Sequence, residues 1–269
     1  MQRTLWTAVL LLLSVWLSSA APIAYFTDND PDRTGWEDPI LANGHTPIQV
    51  LDISTFDFST AAIFLLNQSD NAGLSADLDS RLTDLANWIL GGGVLVVHDR
   101  FVCDVDGVAC DGNPMAPGSS GVSFVRSFSD DTQVNIVTPS LITNGPFGVL
   151  NDASLDEGDS SNHGYVPSST LLPGATNLLS RTDPTESVAV LYSYGLGWVY
   201  YSTIPLDYYL VDAGETAVGD PNVAFNTIYA PNLIAFASDL TNIPEPGSFA
   251  LVGGVLILAG LARRRLIGR

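Results

Sequence analysis

Residues 61–97 constrain the fold more than any other stretch of this chain. The apolar run at residues 61–66 is short and bounded by turn-forming residues, which reads as a strand. Ser75 then stands where a helix needs an N-cap, and Leu78, Leu82, Leu85 and Ile89 follow at spacings of four, three and four. One helical face is therefore apolar. Gly91-Gly92-Gly93 stops that helix, and Val94-Leu95-Val96-Val97 opens a second buried-type run. Strand, helix, glycine stop and strand is the grammar of a parallel crossover, and it predicts a mostly parallel α/β sheet covered by helices.

Other stretches repeat parts of this pattern. Residues 22–26 form an apolar run ended by Thr27-Asp28-Asn29-Asp30, and residues 46–53 form another. Residues 187–194 and 197–202 flank Gly195-Leu196-Gly197, a hairpin signal. A last helix is predicted over residues 222–240, with Ile228, Ile234, Phe236 and Leu240 inward and Pro231 bending it. Residues 99–170 are rich in Gly, Ser, Asn and Asp, so long loops are expected there, with strands at 121–128 and 133–137.

Both ends of the chain are hydrophobic in ways that suit export rather than folding. Arg3 precedes an apolar run at residues 5–17, and Ser18-Ser19-Ala20 offers small residues for signal peptidase to cut between Ala20 and Ala21. Residues 1–20 thus read as a signal peptide. At the other end, a linker at residues 241–248 holds Pro244-Glu245-Pro246, an apolar segment spans residues 249–262, and Arg263-Arg264-Arg265 begins the tail at 263–269. The apolar segment is short against the roughly 20 residues of a comfortable transmembrane helix, and its small residues Gly253, Gly254, Ala259 and Gly260 suit close helix packing. The arginines place the tail in the cytoplasm and the body beyond the inner membrane. This order of parts resembles the PEP-CTERM sorting signal of Gram-negative bacteria. The resemblance implies processing by an exosortase near Pro-Glu-Pro, delivery to the cell envelope or the medium, and a setting of exopolysaccharide production.

Residues 21–240 are long enough for one domain with a sizeable core. Residues 22–243 carry 28 Asp or Glu against 5 Arg and no Lys, a net charge of −23. Such a field repels phosphate backbones and anionic headgroups, which excludes a nucleic-acid partner. It fits either plain solubility or cation binding. Cys103 and Cys110 are the only cysteines, and in an oxidising compartment they are expected to be joined.

A second resemblance lies in three segments: Leu85-Ala86-Asn87-Trp88-Ile89-Leu90-Gly91-Gly92-Gly93-Val94-Leu95-Val96-Val97-His98, Thr138-Pro139-Ser140-Leu141-Ile142-Thr143-Asn144-Gly145, and Tyr194-Gly195-Leu196-Gly197-Trp198-Val199-Tyr200-Tyr201-Ser202. These are similar to class I glutamine amidotransferase-like proteins of the trehalose-utilisation type, and the resemblance implies a flavodoxin-like three-layer sandwich. Working members carry a cysteine nucleophile on a Gly-x-Cys-x-Gly turn. Here the matching stretch reads Val97-His98-Asp99-Arg100-Phe101, and the place of the catalytic histidine reads Thr203-Ile204-Pro205-Leu206-Asp207. Acyl-enzyme chemistry of that type is therefore not expected. The leading expectation is a non-catalytic binding or structural module associated with a polysaccharide matrix.

The alternative is an enzyme. In open parallel sheets, ligands bind beyond the carboxyl ends of the strands. The polar residues expected there are Asp28, Asp30, Asn67, His98, Asp99, Arg100 and Asp207. A hydrolase of a carbohydrate derivative, metal-assisted or not, would draw on His98, Asp99, His163 and Asp207, with an imidazole beside a carboxylate as base or metal ligand. Equally, a strand-end histidine often only bonds a backbone carbonyl, Asp99 can pair locally with Arg100, and His45 sits in a turn. For Ca²⁺, Asp104-x-Asp106-Gly107 with Asp111 offers alternate carboxylates inside and beside the cysteine loop, set against solvated loop acids. Asp28-x-Asp30-x-Asp32 begins like an EF-hand loop, but Arg33 and Pro39 stand where glycine and glutamate are required. The aromatics Tyr192, Tyr194, Trp198, Tyr200, Tyr201, Tyr208 and Tyr209 suit either sugar stacking or cross-strand packing.

Overall fold

The computed structural model describes residues 22–71, 73–156, 159–216 and 222–241. The signal peptide, Pro244-Glu245-Pro246, the apolar segment at 249–262 and Arg263-Arg264-Arg265 lie outside the described residues. Among the described residues, no helix is long and apolar enough to cross a membrane.

The chain opens with β1 (Pro22–Asp28), α1 (Glu37–Ala42), β2 (Thr46–Gln49), β3 (Ile63–Gln68), α2 (Ala76–Leu90) and β4 (Val94–Asp99). Ser75 caps α2, its hydroxyl accepting the Leu78 N–H at 3.1 Å, and Asp77 and Asp79 complement the positive helix start. Leu78, Leu85 and Ile89 are buried on the face that the spacing marked out. Short strands follow: β5 (Ala109–Asp111), β6 (Ser123–Arg126), β7 (Asn135–Ile136), β8 (Asn144–Gly145), β9 (Gly148–Val149) and β10 (Gly164–Pro167). The chain then runs through β11 (Thr176–Ser180), β12 (Glu186–Tyr194), β13 (Gly197–Ser202), α3 (Leu206–Tyr209), α4 (Asn222–Ala224), a π-helical turn at Phe225–Tyr229 and α5 (Ala230–Thr241).

Eleven strands form one sheet in the order β2-β1-β3-β4-β13-β12-β10-β6-β5, with β11 paired to β12 and β7. The expected mostly parallel, flavodoxin-like three-layer sandwich does not describe it. Four pairings are parallel, joining β2, β1, β3, β4 and β13, and six are antiparallel. The sheet is therefore mixed, and only α2 and α5, with 15 and 12 residues, exceed two turns among the described residues. Two local causes account for this. The aperiodic middle of the chain supplies strands of two to four residues rather than helices. The turn at Gly195 reverses the chain, so that β12 runs against β13. That turn also docks on α2: Gly195 has φ +65°, and a Cβ at Gly197 would lie 2.2 Å from the Gly93 carbonyl oxygen.

Each face of the sheet buries its own core. Tyr25, Leu65, Val96 and Tyr200 pack with α1 and with Leu233, Ile234 and Ala237 of α5. The alternate residues Phe26, Leu66, Val97 and Tyr201 pack with α2. Burying each such large side chain contributes about 1.5–3 kcal/mol. Pro231 was expected to disturb the last helix, and the widened π turn ends just before it. A proline ring crowds the carbonyl four residues back, and a π turn relaxes that contact.

His98 belongs to the α5-side core. It is 1% exposed, its Nε2 lies 3.0 Å from the Tyr229 hydroxyl, and that hydroxyl lies 2.6 Å from the Tyr200 hydroxyl. Burial pushes its pKa down to about 3. A folded-state value below the unfolded one means that acid favours unfolding. Stability should be level above about pH 6.5 and fall towards pH 3, by up to about 1.4 kcal/mol per pH unit for this one group. Urea midpoints between pH 7 and 4 should fall more steeply for the wild type than for His98→Gln; equal slopes would contradict this. Cys103 and Cys110 are joined in a disulfide. Replacing both with Ser should cost about 2–3 kcal/mol through loop entropy, read as a lower melting temperature.

Candidate functional site

Register brings two polar rows to the carboxyl ends of the parallel strands. Asn67 and Ser202 flank His98, and Thr27 flanks Asn67 in turn, while Asp28, Gln68 and Asp99 form the next row. Successive strand residues face opposite sides, so His98 and Asp99 point away from each other. They cannot act as one imidazole–carboxylate pair. Asp99 is fully buried and takes four donors: the Phe101 and Val102 N–H groups at 2.9 Å, and the Asn113 amide and Tyr201 hydroxyl at 2.7 Å. Burial raises its pKa against these bonds. With its acceptor sites engaged, Asp99 anchors the loop that leads to the disulfide and does not pair with Arg100.

Arg100 turns instead to Asp207 on α3, at 3.0 Å. Burial pushes the Asp207 carboxyl up, and Arg100 and Arg33 pull it back down. His163 lies close by in the chain's path, because its Nδ1 is 2.8 Å from the Arg100 carbonyl oxygen. A carbonyl only accepts, so Nδ1 carries the proton and Nε2 is left as a free base. Burial pushes His163 down to about 4, with the Arg100 bond opposing, so the ring is neutral near pH 7. Its backbone N–H bonds the Thr203 carbonyl at 2.9 Å, and its ring packs edge-on to Phe128 at 5.1 Å. The neighbouring Asn162 is locked by the buried Arg181 and by the Asp130 and Gln133 carbonyls. His163 is thus held from both sides.

Arg100, Asp159, Ser160, His163, Pro205 and Tyr208 line an open hollow of about 170 Å³. Tyr208 is 49% exposed, its hydroxyl donates to Asp159 at 2.9 Å, and the Arg100 guanidinium stands 5.8 Å from its ring centre. Of the four residues in the enzyme expectation, His163 lines this hollow, Asp207 backs it through Arg100, and His98 and Asp99 are core groups. Asp159 and Ser160 were not singled out as site residues, and Tyr208 was named only among the aromatics suited to sugar stacking or packing, not as a partner of Asp159. No spacing signals them, because Tyr208 meets Asp159 across 49 residues of chain.

The remaining candidates separate. Asp106 pairs with Arg126 at 3.1 Å, Asp111 accepts the Gly121 N–H at 2.8 Å, and Asp104 is exposed, so the three do not converge as calcium ligands. Among the described residues, no group of three or more His, Cys, Asp and Glu is placed to hold a metal ion. Asp28 accepts the Ser75 N–H at 2.9 Å, and Asp30 pairs with Arg33 at 2.8 Å. Tyr192, Tyr200, Tyr201 and Tyr209 are buried packing groups, leaving Tyr208 as the solvent-facing tyrosine beside the hollow.

No family model matches the chain, and no curated protein matches it. Solved structures with a similar arrangement include a β-galactosidase from Rahnella sp. R3, at 13% identity and a TM-score of 0.43, covering 82% of this chain and 31% of that one. An exo-β-1,4-mannosidase from Opitutaceae bacterium strain TAV5 has 10% identity, a TM-score of 0.45, and coverage of 82% and 36%. A β-galactosidase from Halorubrum lacusprofundi has 15% identity, a TM-score of 0.42, and coverage of 82% and 30%. This chain spans about a third of their length, and likeness at this level says nothing of substrate. These neighbours are glycoside-cleaving enzymes by name, and they lend nothing to the expectation of a non-catalytic matrix module.

Proposed function

We propose that this chain is a hydrolase of a carbohydrate derivative, with the hollow around His163 as its site. The observation that carries the reading is the 2.8 Å contact between His163 Nδ1 and the Arg100 carbonyl, which fixes the tautomer and leaves Nε2 unprotonated on a ring that lines the hollow. In this reading Nε2 takes a proton from water as the water attacks the acyl carbon of a sugar ester, and hands that proton to the sugar oxygen as the bond from acyl carbon to that oxygen breaks. The Arg100 guanidinium offers positive charge to the oxygen that becomes negative. Tyr208 supplies an aromatic surface for a sugar ring.

The bond cleaved is better read as an ester on a sugar than as a glycosidic link. Glycoside hydrolysis generally uses two carboxyl groups flanking the bond. Among the described residues the hollow is lined by one, Asp159, because Asp207 is held by Arg100 behind it. The net charge of −23 also favours a neutral substrate over a polyanionic one.

The same proposal keeps the export reading: a signal peptide cut before Ala21, an inner-membrane stage facing the periplasm, and exosortase processing near Pro244-Glu245-Pro246. Its supports are the terminal sequence patterns and the Cys103–Cys110 disulfide, which suits an oxidising compartment. Mass spectrometry of cell-bound and released protein should find Ala21 first and no Arg263-Arg264-Arg265; a chain intact at both ends would refute it.

The chemistry is tested with acetylated oligosaccharides, by measuring released acetate. His163→Gln should lower kcat/KM by about 10²–10⁴-fold. The wild-type rate should be level near neutral pH and drop as the pH approaches about 4, where His163 gains its proton. Turnover that survives His163→Gln, or no acetate release by the wild type, would sink the reading.

A further inference from the structure

Among the described residues, two aromatic side chains are exposed, Phe128 at 41% and Tyr208 at 49%. A single exposed ring on a protein surface is ordinary. Here both rings belong to one place. Tyr208 lines the hollow, and Phe128 meets the His163 ring edge-on, with ring centres 5.1 Å apart. Phe128 stands beside the hollow rather than in it, one ring contact away. The sheet puts it there: β6 and β10 pair with Arg126 opposite Gly164, and the Ser127 N–H bonds the His163 carbonyl at 3.1 Å, so the residue after Ser127 emerges next to His163.

Both rings are also braced. The Arg126 guanidinium stands 5.3 Å from the Phe128 ring centre, and it is itself fixed by Asp106 at 3.1 Å and by the Asn71 carbonyl at 3.0 Å. Tyr208 is held in the same manner by Asp159 and Arg100. A ring that is held in place yet open to solvent gives up little conformational freedom when something stacks on it. The ring face is electron-rich, and the C–H bonds on the apolar face of a sugar carry slight positive charge, so a neutral pyranose complements it. The size of the hollow sets the length of such a ligand. At about 170 Å³ it is well below the roughly 300–1,000 Å³ that encloses a small molecule. It therefore takes the reacting end of a substrate and leaves the rest outside.

We infer that Phe128 is the platform of an outer sugar subsite, and that the substrate is an acylated oligosaccharide or polysaccharide rather than a monosaccharide ester. The esterified sugar lies against Tyr208 in the hollow, and the sugars that follow it run over Phe128. The inference rests on the reading of the hollow as a carbohydrate site and adds the class of chain that the site takes.

The test compares acetylated glucose and mannose with acetylated cellotetraose and mannotetraose. For at least one pair, the wild-type kcat/KM should be about tenfold or more higher on the tetrasaccharide, mainly through a lower KM. Phe128→Leu keeps apolar bulk against His163 but has no flat face, and it should cut that ratio about tenfold, whereas Phe128→Trp should keep it. A residue that only supports His163 would affect both substrates alike. An unaltered ratio in Phe128→Leu would therefore overturn the subsite, and so would a wild type with no preference for either tetrasaccharide. Melting curves check folding, and Phe128→Met takes the place of Phe128→Leu if that variant does not fold. Calorimetry with the unacetylated tetrasaccharides separates this inference from the hydrolase reading. Binding that weakens about tenfold in Phe128→Leu, without acetate release from any substrate, keeps the subsite and removes the hydrolase. Acetate release with an unaltered ratio keeps the hydrolase and removes the subsite, and neither binding nor release removes both.

Discussion

The pairing of β4 on both of its edges sets the position of nearly everything else. Val94–Asp99 lies between β3 and β13, and all six of its residues are buried. A strand so placed has no solvent side, so its alternation divides two cores rather than core from water. Val94 and Val96 serve one core, Leu95 and Val97 the other. The same alternation sends His98 and Asp99 to opposite sides at the strand's end. Arg100, the first residue beyond the strand, then faces the solvent edge, where it meets both Asp207 and His163.

Local chemistry made the first half of the fold legible in the sequence. Ser75 as cap, the Leu78 to Ile89 stripe and the glycine stop mark a helix wherever they occur, and here they mark α2. The hairpin at Gly195 was equally clear. What could not be read was how the sheet continues past β13. The strands β5, β6, β7 and β10 are two to four residues long and carry no period. Long-range pairing and buried side chains such as Arg181 and Asn162 hold that region in place, and neither leaves a local signature. A parallel βαβ start therefore suggested a mostly parallel whole: the Gly195 hairpin and strands at 121–128 and 133–137 were expected, but not that they extend the same sheet through antiparallel pairings.

The site shows the same division. His98, Asp99 and Asp207 were visible as chemically able residues at expected strand ends, with His163 as a possible partner to them, but their roles depend on direction. His98 faces Tyr229, a residue 131 positions away, and Asp99 meets Tyr201 across 102. Those distant partners convert both from candidate catalysts into buried fixtures. His163 gained its place for the opposite reason: its one side-chain bond is to a backbone carbonyl, which orients the ring without occupying the nitrogen that matters. A histidine bonded to a backbone carbonyl had been the structural expectation for His98. It describes His163, and there it argues for chemistry rather than against it.

The Arg100–Asp207 pair illustrates why such a site tolerates so little change. An ion pair at the edge of a buried region gains from low dielectric and loses hydration on both partners, so its net contribution to stability is small. Its cost is partly offset by Arg33, whose guanidinium bonds the Asp207 carbonyl and helps keep the carboxylate charged. In a body with 28 acids and 5 arginines, placing two guanidinium groups on one residue, Arg100 at its carboxylate and Arg33 at its carbonyl, is a heavy allocation of scarce positive charge. The remaining arginines follow the same rule, each fixed to backbone carbonyls or an acid: Arg81 to the loop after β2, Arg126 to Asp106, and Arg181 to Asn162 and Glu186. Positive charge in this molecule is used as internal bracing, and Arg100 is the brace that also borders open space beside a free imidazole.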